Sequence, residues 1–320
     1  MTGPRITRTE LTTAQVSEVL ALAGAARLAD GVAPLSEHGM LHLRYDSGAD
    51  FIATADGEIA GYAYTDPPSA RPGEGETTGE LVVRPDRRRQ GLGRALTGEL
   101  CAAAGERELR LWAHGDLPAA AALAGAAGFE RFRALWQMRR SLREPLDQPR
   151  LPAGRTLRTF VPGQDESEWL SLNGRAFAKH PEQGGWTRHD LELRERAPWF
   201  DPAGFFIAER GGQMAGFHWT KVHDPALGEV YVVGVDPAEQ GTGLGRALTL
   251  AGLQHLRDLG VAQAMLYVDE DNVPAIRMYE ALGFTRATVD AMYRSASPGG
   301  RPPGTPRDRG DQSPRTPLAG

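Results

Sequence analysis

Val233-Gly234-Val235-Asp236-Pro237-Ala238-Glu239-Gln240-Gly241-Thr242-Gly243-Leu244-Gly245-Arg246-Ala247-Leu248 decides how the rest of the chain is read. An apolar run of β type ends in a Pro, a loop with glycines at alternate positions follows, and a helix opens at Arg246-Ala247-Leu248. Alternating glycines remove the Cβ atoms that would hold a ligand off the backbone, and they permit positive φ. Backbone N–H groups gathered at a helix N-terminus then form a site for a diphosphate. The helix dipole adds only ~0.3–1 kcal/mol at an exposed end, so the aligned N–H groups must supply most of the grip. Other phosphate loops do not fit. A P-loop needs Lys-Ser/Thr after its last glycine, where this chain has Arg246-Ala247, and a dinucleotide fingerprint begun at Gly243 would need a small residue at Leu248.

The pattern occurs twice. Val83-Arg84-Pro85-Asp86-Arg87-Arg88-Arg89-Gln90-Gly91-Leu92-Gly93-Arg94-Ala95-Leu96-Thr97 carries it in the N-terminal half, and Gly-Leu-Gly-Arg-Ala-Leu-Thr is identical at 91–97 and 243–249. Gly128-Phe129 recurs as Gly283-Phe284 at nearly the same distance from its loop. A period of one domain length means duplicated domains, because solenoid units run to only ~20–50 residues.

Composition agrees. The 320 residues suffice for two domains with cores of their own, and a 41% hydrophobic and 24% charged make-up is that of a globular protein. A net charge of −5 leaves no general footprint for nucleic acid. Arg87-Arg88-Arg89 is either a solvated charge run or, beside the loop, a source of cations for phosphates. One cysteine, Cys101, excludes an intrachain disulfide and fits a reducing cytosol, and it reads as helix packing rather than a nucleophile. No signal peptide opens the chain and no apolar run approaches the ~20 residues of a membrane span, so a cytoplasmic protein without membrane contact is expected.

In chain order, Thr12 or Thr13 caps a helix to about Leu28, with Val16, Val19, Leu20 and Ala23 on one face. Strands at 51–55 and 58–64 close on Asp56-Gly57. Residues 66–76 read as a loop, 79–83 as the strand before the first glycine loop, and the helix after it runs to about Ala104. A strand at 109–113, a helix at 117–127 and a strand at 132–138 complete the first copy. The second has a strand at 156–160, a helix at 165–177, an irregular insert at 179–186, and a hairpin of 204–210 with 213–222 across Gly211-Gly212. Strand 229–235, helix 245–259, strand 264–268 and helix 272–282 follow. The domains are then 1–143 and 153–294, with a Pro-rich linker at 144–152, and the tail 295–320 has too few apolar residues to fold. Hairpins precede each glycine loop, so the fold class is α/β with mixed sheets, each carrying helices on both faces, twice.

Gln240, Gly243 and Gly245 after a Val-x-Pro strand end, with Tyr279-x-x-x-Gly283-Phe284 downstream, resemble the acetyl-CoA loop and helix motif of the GCN5-related N-acetyltransferases. The resemblance implies two tandem domains of that family's fold, with coenzyme wedged where two parallel strands splay. It implies acetyl-CoA on Val233, Gly234, Val235, Gln240, Gly241, Thr242, Gly243, Leu244, Gly245 and Arg246, and on Asn272, Val273, Pro274, Ala275, Ile276 and Arg277. It leaves room for a second molecule on Leu81, Val82, Val83, Arg89, Gln90, Gly91, Leu92, Gly93 and Arg94. It also aims the Tyr279 phenol at the thioester sulfur, as an acid for the departing thiolate; otherwise Tyr279 is a half-buried aromatic on an amphipathic helix.

Counted back from Gly128, the first copy has Ala124 in place of Tyr279 and Leu117 in place of Asn272, so it reads as coenzyme-binding but inactive. Arg88 stands where Gln240 does, which keeps phosphate attraction. An attacking amine must lose a proton, and Glu229 opens the strand into the loop. Simple alternation sets Glu229, Tyr231, Val233 and Val235 on one face, with Glu229 the candidate base and Thr77 its counterpart in the first copy.

Within the family, two copies with only the second fully equipped resemble the tandem branch that acetylates the cysteinyl amine of a cysteinyl-glucosaminyl-inositol pseudo-disaccharide. Leu35-Ser36-Glu37-His38, His180-Pro181-Glu182-Gln183-Gly184 and Gly228-Glu229-Val230-Tyr231-Val232-Val233-Gly234-Val235 carry that likeness. It implies Glu37, Glu182, Lys221, Glu229 and Tyr267 around this small-molecule substrate, in a protein expected to be monomeric. No His-Glu-x-x-His occurs and one Cys cannot build a thiolate-rich zinc site, so no metal is expected, and His218 and His223 read as ordinary polar residues. A peptide Nα-acetyltransferase and a non-catalytic acetyl-CoA sensor remain as alternatives.

Overall fold

The computed structural model describes residues 5–45, 48–66 and 76–295, without the side chains of Arg44, Tyr45, Pro181 and Glu182. The expected tail after Ser295 and most of the loop expected at 66–76 lie outside the described residues. The chain divides into two compact units. One takes the chain up to Ala134 and resumes at Asp290; the other runs Leu135–Val289.

The first unit opens with β1 (Arg5–Thr9), a strand whose polar sequence gave no signal. Thr12 then caps α1 (Thr13–Asp30) through a capping box with Gln15, and Gly31 ends the helix at φ 73°. Its buried stripe is Val19, Leu22, Ala23 and Ala26; Val16 and Leu20 lie only at its margin. After α2 (Glu37–Tyr45), the hairpin of β2 (Ala49–Ala55) and β3 (Glu58–Thr65) turns on Asp56 and Gly57, both at positive φ as a two-residue turn of this kind requires. β4 (Glu76–Val83), α3 (Leu92–Ala104), β5 (Glu108–Ala113), α4 (Pro118–Ala126) and β6 (Phe129–Ser141) follow. Period-two alternation sorts the sheet residues. Ile52, Tyr62, Tyr64 and Val82 face α1 and α2, while Phe51, Ala53 and Ala63 pack with Leu92, Leu96 and Leu100 of α3.

The second unit has β7 (Arg155–Thr159), α5 (Glu166–Ala176), α6 (Pro181–Gly184), α7 (Arg188–Glu195), β8 (Phe205–Arg210), β9 (Gln213–Asp224), β10 (Leu227–Val235), α8 (Leu244–Asp258), β11 (Gln263–Asp269) and α9 (Val273–Ala281). The insert expected to be irregular holds α6, and α7 directly follows it, its start fixed by a capping box of Thr187 with Asp190. One sheet face buries Trp169, Phe205, Phe217, Trp219 and Val232; the other buries Val230, Ala264 and Leu266 with Leu250 and Leu253 of α8 and Ile276 and Tyr279 of α9.

In both units the sheet is antiparallel except for one pair, β4 with β5 and β10 with β11. Each is a mixed sheet with helices on both faces, as the sequence implied. The closing strands are traded, however. β12 (Thr285–Ser295) follows α9 in the chain, yet its residues 291–294 pair with β5 in the first unit. Residues 135–141 of β6, from the first copy, pair with β11 in the second.

Candidate active site

β10 leads into Asp236, whose carboxylate accepts from the N–H of Ala238 and from Arg175 Nε at 2.9 Å. Glu239 is buried and held by Arg155 and Arg210, which fastens the outer turn of the loop to the strands beneath it. Gly241 (φ 77°) and Gly243 (φ 90°) then turn the chain through the left-handed region into α8. No side chain caps that helix, so the first-turn N–H groups beyond Gly243 keep their hydrogen-bonding capacity for an anion. A Cβ on Gly245 would meet Val235 at 3.5 Å and Met278 at 4.0 Å, so α9 comes up to the loop. Val233, Gly234 and Val235 form the strand end, Gln240 to Arg246 the loop and first turn, and Asn272 to Arg277 the start of α9. Asn272 caps α9 by accepting from Ala275 N–H at 3.3 Å, while Arg246 pairs with Asp147 on the surface.

Two irregularities in the β9–β10 ladder shape the rest. β10 pairs with β11 only through Leu227, Gly228 and Glu229, and beyond Glu229 and its partner Met265 the strands part. On β10, Val230 opposes Thr220 but Val232 opposes Trp219, so Tyr231 is an inserted residue; on β9, Val222 opposes Gly228 but Asp224 opposes Leu227, so His223 is another. Bulges of this kind re-aim side chains. Simple alternation along β10 therefore fails. Glu229 and Val232 share the face of Trp219 and Lys221, Tyr231 is turned onto it, and Val233 and Val235 lie on the other face with α8.

On that face Glu229 is 7% exposed and lies beside Lys221 in the ladder, with His223 Nε2 2.7 Å from its Oε2. Lys221 is buried with its ammonium 4.4 Å from the Trp199 ring centre and 5.1 Å from that of Tyr231. Arg194 donates to the Tyr231 hydroxyl at 2.8 Å and stacks 3.9 Å from the Trp186 ring centre. Alternation along β11 adds Tyr267, two-fifths exposed, whose hydroxyl accepts from Gln137 at 3.0 Å, and Asp269, which pairs with His180 at 3.2 Å. The sheet thus brings together Glu229, Lys221 and Tyr267 of the expected substrate residues. Glu37 begins α2 in the first unit. Glu182 lies in α6, and its side chain is outside the described residues. Arg194 and Trp199 went unread, and His223 was not placed at the site: the bulges that aim Tyr231 and His223 leave no mark in a hydrophobic pattern. The reading of His223 as an ordinary polar residue is corrected by its hydrogen bond to Glu229.

Tyr279 sits on the opposite face, 6% exposed, edge-on to Phe284 at 5.8 Å. Burial pushes its phenol well up, so it is protonated at neutral pH, as a donor to a leaving thiolate must be. No residue among those described hydrogen-bonds its hydroxyl.

The first unit keeps the loop but carries neither the candidate base nor the candidate acid. Leu81, Val82 and Val83 end β4, Gly91 (φ 85°) opens α3, and Leu92, Gly93 and Arg94 form its first turn. Arg89 stands where the other loop has Gly241 and adopts φ 64°. Two of the three arginines are already committed: Arg87 to Asp56 at 2.9 Å, and Arg88 to both oxygens of Asp30 at 2.7 Å. Arg88, whose position keeps phosphate attraction, is thus held by Asp30. The β3–β4 ladder has no register shift, so Glu229 corresponds to Thr78, the partner of Arg110, and not to Thr77. Neither threonine is a base. Leu117 precedes α4 without capping it. Cys101 packs half-buried against the core, with its thiol pushed up by burial.

Residues 169–284 match the acetyltransferase (GNAT) family, and residues 47–131 match an acetyltransferase (GNAT) domain, so the duplicated fold and paired glycine loops are those of a tandem GNAT acetyltransferase. The mycothiol acetyltransferase of Thermomonospora curvata is 59% identical, covering 90% of this chain and 96% of its own. That of Thermobispora bispora is 61% identical over 86% and 94%. A tandem GNAT protein from the clavulanic acid biosynthesis pathway shares the fold, with a TM-score of 0.72 at 23% identity over 91% of this chain and 98% of its own. The chain belongs to the mycothiol acetyltransferase branch of the GNAT family.

Proposed function

We propose that this protein is an acetyl-CoA-dependent N-acetyltransferase that completes mycothiol, moving acetyl to the cysteinyl amine of 1D-myo-inositol 2-(L-cysteinylamino)-2-deoxy-alpha-D-glucopyranoside. One observation carries the reading. Two units share a glycine loop, yet only the second has a carboxylate, Glu229, where the first has Thr78, and a phenol, Tyr279, on the helix where the first has Ala124. The neutral amine attacks the thioester carbonyl directly, Glu229 takes its proton, and Tyr279 protonates the thiolate that leaves. Coenzyme lies along the loop from Gln240 to Arg246 and the start of α9. Glu182, Lys221, Glu229 and Tyr267 hold the substrate, whose hydroxyls want charged and phenolic partners.

Residues 1–143 act as a coenzyme-binding but inactive domain and 153–294 as the catalytic one, apart from the traded closing strands, in a monomeric, cytoplasmic enzyme. Among the described residues no helix is long and apolar enough to cross a membrane. Holding amine and thioester in register can remove ~7–11 kcal/mol of barrier, whereas a general acid or base gives only ~10²–10⁴-fold. The loop and the substrate pocket therefore carry more of the rate than Glu229 or Tyr279 singly. Thiol release from acetyl-CoA tests the reading, with the pseudo-disaccharide set against a panel of peptide N-termini. Turnover on the pseudo-disaccharide alone is expected. Turnover on peptides would replace the substrate, and tight coenzyme binding without any turnover would make the protein a sensor.

A further inference from the structure

We infer that His223 is the positioning residue of the amine-deprotonating carboxylate: it donates from Nε2 to Glu229 Oε2 and leaves Oε1 to receive the proton. The inference rests on the reading of Glu229 as the base. Its evidence is a ladder built irregularly to achieve this contact. His223 is the inserted residue of β9, and the bulge lies one step along the ladder from the Glu229–Lys221 pair. A regular β9 would follow Lys221 and Val222 with a residue in ordinary register; the bulge instead lets the ring reach the next strand at 2.7 Å. In the described part of the first unit's β3–β4 ladder no bulge matches that at Tyr231, and Thr78 stands where Glu229 does.

Two partners thus govern Glu229, with different consequences. Lys221 lies beside it in the ladder but holds its ammonium over the Trp199 and Tyr231 rings. His223 makes the hydrogen bond, and its side chain is one-third exposed while that of Glu229 is 9% exposed. A carboxylate that is buried and hydrogen-bonded on one oxygen has its other oxygen fixed in direction. A freely rotating carboxylate would spend much of its time misaligned, which lowers the rate of proton removal without weakening substrate binding.

Turnover by His223→Gln, His223→Phe, Glu229→Gln and the Glu229→Gln/His223→Phe double variant tests this, on whichever amine the wild-type protein acetylates. Gln carries an N–H at about the reach of Nε2. The expected result is near wild-type kcat for His223→Gln and a loss on the order of tenfold for His223→Phe, below the ~10²–10⁴ of a base itself, with both KM values unchanged. In the Glu229→Gln background, His223→Phe should cost nothing further. An equal loss in both backgrounds, or a rise in KM without a fall in kcat, would overturn the assignment. Because each variant is scored against the wild-type rate on the amine it accepts, a wrong substrate does not enter the comparison. Wild-type rate in Glu229→Gln would remove the base itself and the inference with it.

Discussion

Two histidines on β9 show how strand geometry decides the role of a residue type. His218 is fully buried under α8, where Nδ1 is 2.7 Å from the Leu248 carbonyl oxygen, and burial brings its pKa down to about 4. It is neutral in the fold and takes up a proton near 6.5 once unfolded, so its contribution is complete above pH 6.5 and is lost as pH falls toward 4. His223, inserted by a bulge, meets the Glu229 carboxylate instead. The thermal midpoint should therefore fall between pH 6.5 and 4. His218→Asn, which keeps a donor near the Nδ1 position and cannot take the proton, should flatten that fall. An equally steep fall in the variant would show that other groups carry the acid sensitivity. Sequence spacing could nominate Glu229 because a base is needed near the loop. It could not nominate His223, whose position follows from one extra residue in a ladder.

At the scale of elements, the two glycine loops solve one problem with different residues. Gly241 enters the left-handed region freely, whereas Arg89 holds φ 64° there with a side chain, at a cost of ~1–2 kcal/mol. Arg89→Gly should therefore stabilise the first unit by about 1 kcal/mol, within that range after the added chain entropy of glycine, measured by denaturant unfolding. A destabilised variant would mean that the Arg89 side chain earns more through contacts than its backbone loses. These loops, the Asp56-Gly57 and Gly211-Gly212 hairpins and the helices behind them were legible because Gly, Asp and Pro impose local geometry. α7 went unread, its one signal being a capping box of Thr187 with Asp190 within a polar stretch. β1, Arg-Ile-Thr-Arg-Thr, had no hydrophobic alternation to read, because it is an edge strand with most of its residues exposed.

For the whole molecule, the least legible feature is the exchange of closing strands. Periodicity identifies a strand but not which sheet takes it. Residues 291–293 of β12 are buried in the first unit, and Asp290 accepts from Gly115 N–H at 2.9 Å and meets His114 Nδ1 at the same distance. Burial alone would discharge His114; its hydrogen bonds to Asp290 and Glu80 outweigh that and raise its pKa to about 10. The N-terminal unit is thus completed by the end of the described chain, although the duplication that produced both units is plain in the sequence. Duplication explains the shared loop. It does not require shared chemistry, and a Tyr to Ala difference in one helix, with a Glu to Thr difference in one strand, separates the two units.

The most direct test of this division is the kcat of Glu229→Gln and Tyr279→Phe for acetyl transfer to the pseudo-disaccharide, followed across pH with acetyl-CoA saturating. Each should lose ~10²–10⁴-fold in kcat while retaining coenzyme binding. Full kcat in either variant at every pH would remove that residue from the chemistry, and full kcat in both would move catalysis away from the second unit's strand and helix.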